Sequence, residues 1–168
     1  MIKIYTDGSA HPNPGPGGYG IFGFDDETGE ILTIAGHQYE HTTNNAMELT
    51  AIVNAFENFG RTNYKDYNVT IYTDSAYAYN TFTKWIFDWQ KRGWKKADKK
   101  EPENLDIVKR YWSFYQHGWR INFELIPGHS GDRFNDLADK LATGKITVQE
   151  VCDEFRDETY ITGRVTSD

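Results

Sequence analysis

Apolar and polar residues alternate from the start of the chain. Ile2-Lys3-Ile4-Tyr5-Thr6 has the two-residue period of a strand, and Asp7-Gly8-Ser9 predicts its end. Positions 11–18 hold three prolines and three glycines, residues that fix or free φ, and predict a turn. Two more strands are predicted over 19–25 and 30–38, joined by the polar turn Asp26-Glu27-Thr28-Gly29, which gives an antiparallel meander. At Thr42-Thr43-Asn44-Asn45 the period changes. Leu49, Ile52, Val53, Phe56 and Phe59 recur at helical spacing, and Gly60 closes that helix. A fourth strand over 68–73 ends at Asp74-Ser75; strand, helix and strand of these lengths imply a crossover, with the first and fourth strands parallel. Helical sequence follows over 75–90, Pro102 marks a break, and another helix is predicted over 103–116. Trp119 to Leu125 predicts a fifth strand, and a glycine-rich loop over 126–131 leads to a last helix over 134–143. The pattern is that of an α/β domain with a mixed five-stranded sheet flanked by helices, the first three strands antiparallel and the later ones parallel.

Composition narrows this further. A chain of 168 residues with 38% hydrophobic and 26% charged residues suits one folded domain. No apolar run approaches the ~20 residues of a membrane span, so no membrane partner is expected. Met1-Ile2-Lys3 runs straight into strand sequence, so no leader is expected, and the single cysteine, Cys152, rules out an intramolecular disulfide and suits a reducing cytoplasmic setting; a monomer is expected. The net charge of −7 conceals an asymmetry: Lys84 to Lys100 holds seven basic against two acidic side chains, with Trp85, Trp89 and Trp94 interleaved. A solvated helix face is the ordinary reading of a lysine run, but tryptophans among lysines imply that something stacks or packs there. After Gly144 the chain turns acidic, six acidic to three basic side chains over 145–168. Val148, Val151, Cys152 and Phe155 predict one short amphipathic helix in this tail, and charge complementarity points it toward the basic segment.

The strongest internal signal is an echo. Ile4-Tyr5-Thr6-Asp7-Gly8-Ser9-Ala10 and Ile71-Tyr72-Thr73-Asp74-Ser75-Ala76 are nearly one phrase, each closing a strand. An isolated Asp after a strand is ordinarily a turn former or helix cap. A matched pair on neighbouring parallel strands is different, because the two carboxylates meet at the carboxyl edge of the sheet and repel unless a cation intervenes. Glu48, in the first turns of the following helix, suits the helix dipole and can also lean over that edge as a third carboxylate. A fourth candidate lies in Asn135-Asp136-Leu137-Ala138-Asp139, where periodicity alone does not choose between Asp136 and Asp139. Hard oxygen ligands of this kind select Mg²⁺ or Mn²⁺, and a zinc site is disfavoured.

Four motifs occur in order: Tyr-Thr-Asp-Gly-Ser with Pro-Gly-Pro-Gly-Gly-Tyr-Gly, Thr-Thr-Asn-Asn-Ala-Met-Glu-Leu, Tyr-Thr-Asp-Ser, and Gly-His-Ser-Gly with Asn-x-x-Ala-Asp-x-Leu-Ala. Together they closely resemble ribonuclease H of type 1 over residues 1–143, taken as the catalytic domain, with 144–168 an unassigned tail. The resemblance implies the ribonuclease H-like fold and an active-site quartet of Asp7, Glu48, Asp74 and Asp139, with Asn135 the motif partner of Asp139 and Asp136 left at the surface. It also implies His129 as an auxiliary group that moves a proton or assists product release. The basic segment at about 84–101 resembles the family's handle, which grips the DNA strand. On that reading Lys91, Arg92, Lys95 and Lys96 contact substrate and Trp85 lies in the DNA channel. Asn13, Asn44 and Asn45 match residues reading the minor groove of the hybrid, Gly8 and Ser9 match contacts to RNA 2′-hydroxyls, and Thr43 matches the phosphate pocket.

The implied activity is endonucleolytic hydrolysis of the RNA strand of an RNA–DNA hybrid with two Mg²⁺ ions, Mn²⁺ being a possible substitute, leaving 5′-phosphate and 3′-hydroxyl ends. Asp7 would bridge the ions, Glu48 and Asp74 hold the leaving-group side and Asp139 the nucleophile side. The chain departs from the family pattern at Ala76, where many members carry a glutamine touching a base, and at His41 and Asp88, where the phosphate pocket usually has Arg or Lys and Asn. The rival readings are an integrase-like nuclease acting on DNA and a hybrid-binding module without activity.

Overall fold

The computed structural model describes residues 1–60, 68–128 and 131–162, the last seven of these as backbone only. Five strands form one sheet: β1 (Ile2–Ala10), β2 (Gly15–Asp25), β3 (Ile31–Thr42), β4 (Val69–Thr73) and β5 (Asn122–Leu125), in the order β3-β2-β1-β4-β5. β1, β2 and β3 pair antiparallel, and β4 joins β1 and then β5 in parallel, as the sequence predicts.

The meander strands are longer than their alternation suggests. β1 continues through Asp7-Gly8-Ser9, whose ladder partners are Gly20, Tyr19 and Gly18, and β2 starts inside the glycine-rich segment, at Gly15. These glycines serve the strand, where neighbouring backbones leave no room for side chains, and only positions 11–14 form the connection. β5 is conversely shorter than its pattern and starts at Asn122.

Helix α1 (Asn44–Phe59) is N-capped by Thr43, whose hydroxyl accepts the Ala46 N–H at 3.0 Å. Its buried face is unusually broad, from Met47 to Phe56, because the sheet lies on one side and α4 (Leu105–Gln116) on the other; the Phe56 and Tyr111 rings are 4.5 Å apart. Between β4 and α4 the chain is helical over α2 (Ala76–Asn80), a π-turn (Thr81–Trp85) and α3 (Ile86–Lys91). The helical sequence expected over 75–90 is thus present, with a π-turn at its centre. The Thr81 and Thr83 hydroxyls bond back to the Tyr77 and Tyr79 carbonyls, and the Ile86 N–H reaches Thr81 five residues back.

α1 to α4 cover one face of the sheet, where Ile4, Ile52, Phe56, Ile71, Phe82, Ile86 and Val108 build the main core. α5 (Arg133–Ala142) and α6 (Val148–Thr162) cover the other, over a second cluster of Phe22, Leu137, Leu141 and Val151. The acidic tail therefore forms a long helix against β2 and α5, with the Phe155 ring tilted against Phe22 at 4.7 Å and stacked with Phe134 at 6.1 Å. Among the described residues it does not dock on the basic segment, whose Trp89 and Trp94 belong to the opposite core. Apolar packing onto Phe22 and Leu137 outweighs a screened surface attraction. Val151→Ala is expected to destabilise the fold by about 1–3 kcal/mol, a loss of several degrees in thermal melting; an unchanged melting temperature would detach α6 from the fold. No helix among the described residues is long and apolar enough to cross a membrane.

Candidate active site

The echoed phrases are ladder partners. β1 and β4 pair Ile4 with Ile71 and Tyr5 with Tyr72, and the two tyrosine rings stack at 4.8 Å. Asp74 follows the end of β4, while Asp7 lies in a part of β1 that extends beyond β4, so both carboxylates stand where the parallel ladder stops. Glu48 reaches them because α1 lies directly on β1: a Cβ at Gly8 would collide with the Met47 and Glu48 backbone. Only glycine permits that approach. One carboxylate oxygen from each of Asp7, Glu48 and Asp74 lies within 4.8 Å of the others.

Asp7 and Glu48 are 5% and 7% exposed, rare values for acids with no basic partner among the described residues. Burial is the main reason that Asp7 is pushed up to about 8, with the Asp74 charge and Asp139 adding to it. Glu48 is raised well above the ordinary carboxylate range by burial first and then by the Asp7 charge, and the Gly8 N–H bonded to it opposes the rise. Its Oε2 is buried and has no hydrogen-bond partner among the described residues. Converging carboxylate oxygens with one left unpaired fit a hard divalent cation, which would both neutralise the repulsion and occupy the free oxygen.

These groups line an open cleft of about 340 Å³. Asp139 enters it from α5, and Asp136 does not line it. Asn135, one helical turn earlier, is 3% exposed and donates its Nδ2 to Asp74 Oδ2 at 3.5 Å. That contact was not foreseen; the motif paired Asn135 only with Asp139. Ser75 also lines the cleft and N-caps α2, accepting the Ala78 N–H. Gly8, Ser9, Asn44 and Asn45 line it as well. Asn44 Oδ1 accepts the Ala10 N–H at 2.6 Å, which leaves the amide NH₂ as its free end, and Asn13 Oδ1 accepts the Asn44 N–H at 3.1 Å. Thr43 accepts as the cap and keeps its hydroxyl proton to donate. His129 lies outside the described residues.

The tryptophans of the basic segment divide. Trp89 is core, and Trp94 packs edge-on to Trp112 with Lys109 5.6 Å above its ring. Trp85 alone is substantially open, at 37%, beside Tyr77. Lys91, Arg92 and Lys95 are exposed and Lys96 is half-buried, in the turn after α3. Ala76 is exposed at the start of α2, as are His41 and Asp88 at their own positions.

Comparison with known proteins agrees with this geometry. The chain is 42% identical over 148 residues to ribonuclease H of Enterobacter sp. (strain 638), covering 84% of this chain and 86% of that one. It is 40% identical to ribonuclease H of Maricaulis maris, covering 84% and 90%. Among solved structures it resembles LC9-RNase H1, a type 1 RNase H with the type 2 active-site motif, at 28% identity and a TM-score of 0.67, over 87% of this chain and 73% of that one. LC11-RNase H1, solved in complex with an RNA/DNA hybrid, matches at 29% identity and a TM-score of 0.56, over 84% and 94%. The RNase H family model matches residues 1–147. Fold, ordered motifs and relatives thus converge, and the chain belongs to the ribonuclease H family of endoribonucleases.

Proposed function

We propose that this protein cleaves the RNA strand of RNA–DNA hybrids, acting as a cytoplasmic monomer whose catalytic domain spans residues 1–143. The observation that carries this reading is the trio Asp7, Glu48 and Asp74 at the ladder end, the first two buried, in a cleft also lined by hydrogen-bonding groups suited to ribose hydroxyls. Asp7, Glu48 and Asp74 with Asp139 would hold two Mg²⁺ ions, or Mn²⁺ in their place, which would supply positive charge toward the attacking water, the scissile phosphate and the departing 3′ oxygen. Products carry 5′-phosphate and 3′-hydroxyl ends.

The chain's own residues set the geometry. Asn135 holds Asp74, the Gly8 N–H holds Glu48, and the β1–β2 ladder holds Asp7. Ser9 and the backbone at Gly8 meet RNA 2′-hydroxyls, the feature that separates RNA from DNA. The oriented Asn44 amide, with Asn45 and Asn13, donates to minor-groove acceptors common to several base pairs, so sequence preference is weak. Thr43 contacts a phosphate with its remaining hydroxyl proton, Trp85 packs on the DNA strand, and His129 moves a proton or helps product leave.

Lys91, Arg92, Lys95 and Lys96 contact the DNA backbone, where affinity is electrostatic. Converting Lys91, Lys95 and Lys96 to Ala is expected to raise KM roughly tenfold at moderate salt and to flatten its salt dependence, with kcat within a few-fold. A salt slope equal to that of wild type would remove the segment from the substrate interface. The reading as a whole is tested with an end-labelled hybrid in Mg²⁺, beside single-stranded RNA, duplex RNA and duplex DNA. Hybrid-only cleavage supports it; cleavage of duplex DNA, or binding of hybrid without cleavage, overturns it.

A further inference from the structure

Helix α5, which carries Asp139, meets the meander at Gly18, Gly20 and Gly36, where the strands place no side chain beneath it. A Cβ at Gly20 would penetrate the Ala138 carbonyl oxygen and lie 2.7 Å from Leu141 Cβ and 2.8 Å from Ala142 N. Two residues earlier on the same strand face, a Cβ at Gly18 would lie 2.6 Å from the Ala142 carbonyl oxygen. Gly36, the ladder partner of Gly20 on β3, is less crowded, with the Leu141 carbonyl oxygen 3.2 Å from its would-be Cβ. Beside this track Gln38 Nε2 donates to the Ala142 and Leu141 carbonyls at 2.9 and 3.4 Å, pairing helix-end acceptors that the helix itself cannot satisfy.

Gly20 is also the register partner of Asp7. Directly opposed residues of an antiparallel pair point to the same face, so Asp7 and the missing Gly20 side chain share the face on which α5 rests. Ala138, seated on Gly20, immediately precedes Asp139. One ladder rung therefore fixes Asp7 within the sheet and sets the height of the helix turn that delivers Asp139.

We propose that Gly20 is a positioning residue for the reaction: by lacking a side chain it sets the spacing between Asp139 and Asp7. This rests on the assignment of Asp139 to the catalytic quartet. Gly36 and Gln38 support the same seat more weakly. Since displacements near 1 Å at a reacting centre cost about 10²-fold, the seat matters well beyond its contribution to stability.

The test compares Gly20→Ala, Gly36→Ala and Gly23→Ala in the full chain. Gly23 lies on the same strand, but its would-be Cβ meets the Thr33 and Ile4 side chains, at 2.7 and 3.1 Å, and not α5. Gly20→Ala is expected to lower kcat about 10²-fold with KM for hybrid within threefold, and Gly36→Ala to lower kcat by a smaller factor of about 3–10. Gly23→Ala is expected to lose melting temperature and keep kcat. In the metal-free protein, amide NMR shifts in Gly20→Ala and Gly36→Ala are expected to change over 137–142 and to hold at Glu48 and Asp74. Adding Gly20→Ala to Asp139→Asn should cost no further activity. Should Gly20→Ala be unable to fold, the Gly36→Ala kinetics and shifts decide alone. Retained kcat in folded Gly20→Ala and Gly36→Ala, multiplicative losses in the double variant, or an equal kcat loss in Gly23→Ala would each overturn the proposal. If Asp139→Asn keeps wild-type kcat, the quartet assignment is what fails, and the positioning role falls with it.

Discussion

Asp7→Asn is expected to lower turnover of an RNA–DNA hybrid by roughly 10³-fold or more, while leaving hybrid affinity in the absence of divalent ions within a few-fold. The substitution keeps size and shape, so the β1–β2 ladder and the approach of α1 at Gly8 are undisturbed. What changes is charge and oxygen count at the one carboxylate that neighbours all the others: Glu48 and Asp74 within the 4.8 Å cluster, and Asp139 from α5. Loss of a central anion disables both the capture of cations and their placement against the scissile phosphate. His129→Ala should by contrast slow the enzyme only about 10–100-fold, since a proton carrier on a loop has water as a substitute. Single-turnover cleavage with saturating Mg²⁺ measures both variants. Equal losses would contradict this division of labour, and near-normal turnover by Asp7→Asn would contradict the site itself.

Much of this arrangement was legible from the chain because it depends on local patterns. The echo around Asp7 and Asp74 survived as a ladder register, since two copies of one strand phrase pair best when their apolar positions coincide. Thr43, with Asn44-Asn45 after it, announced the start of α1 through cap chemistry, and the position of Glu48 followed from that start. Features set by what packs above a segment were not legible. Gly17 and Gly18 look like turn residues until β1 and β3 close around them and the end of α5 is laid on Gly18. Trp89 and Trp94 look like stacking surface until α4 arrives with Trp112. The acidic tail looked destined for the lysines, yet Val151 is fully buried against the opposite face, where its apolar stripe finds Phe22 and Leu137. Asn135 carried a signal, one turn before Asp139, but its contact with Asp74 joins α5 to a strand end 61 residues away and exists only in three dimensions.

Stability should report the same carboxylates independently of catalysis. Asp7 titrates near 8 in the folded protein against 3.8 for an ordinary carboxyl, and Glu48 is raised in the same direction. A raised carboxyl pKa means that the folded state keeps a proton the unfolded chain has released. The stabilisation is fully present below about pH 4 and is lost as pH rises through 8. Metal-free protein is therefore expected to lose on the order of 2–5 kcal/mol from this source between pH 4 and pH 8, or about 5–15 °C of melting temperature. Divalent cations bind the deprotonated cluster and oppose the loss by mass action, so the rise in melting temperature on adding Mg²⁺ or Mn²⁺ should grow from pH 5.5 to pH 8.5. Asp7→Asn, with a carboxamide that donates to Glu48 and has no charge to desolvate, should melt higher than wild type without metal, increasingly so toward pH 8. It should also respond little to the ions. Thermal melts across pH, with EDTA and with each ion, separate these effects from activity. A metal-induced shift that is flat with pH, or one retained in Asp7→Asn, would mean that the cations stabilise the protein elsewhere than between β1, α1 and β4.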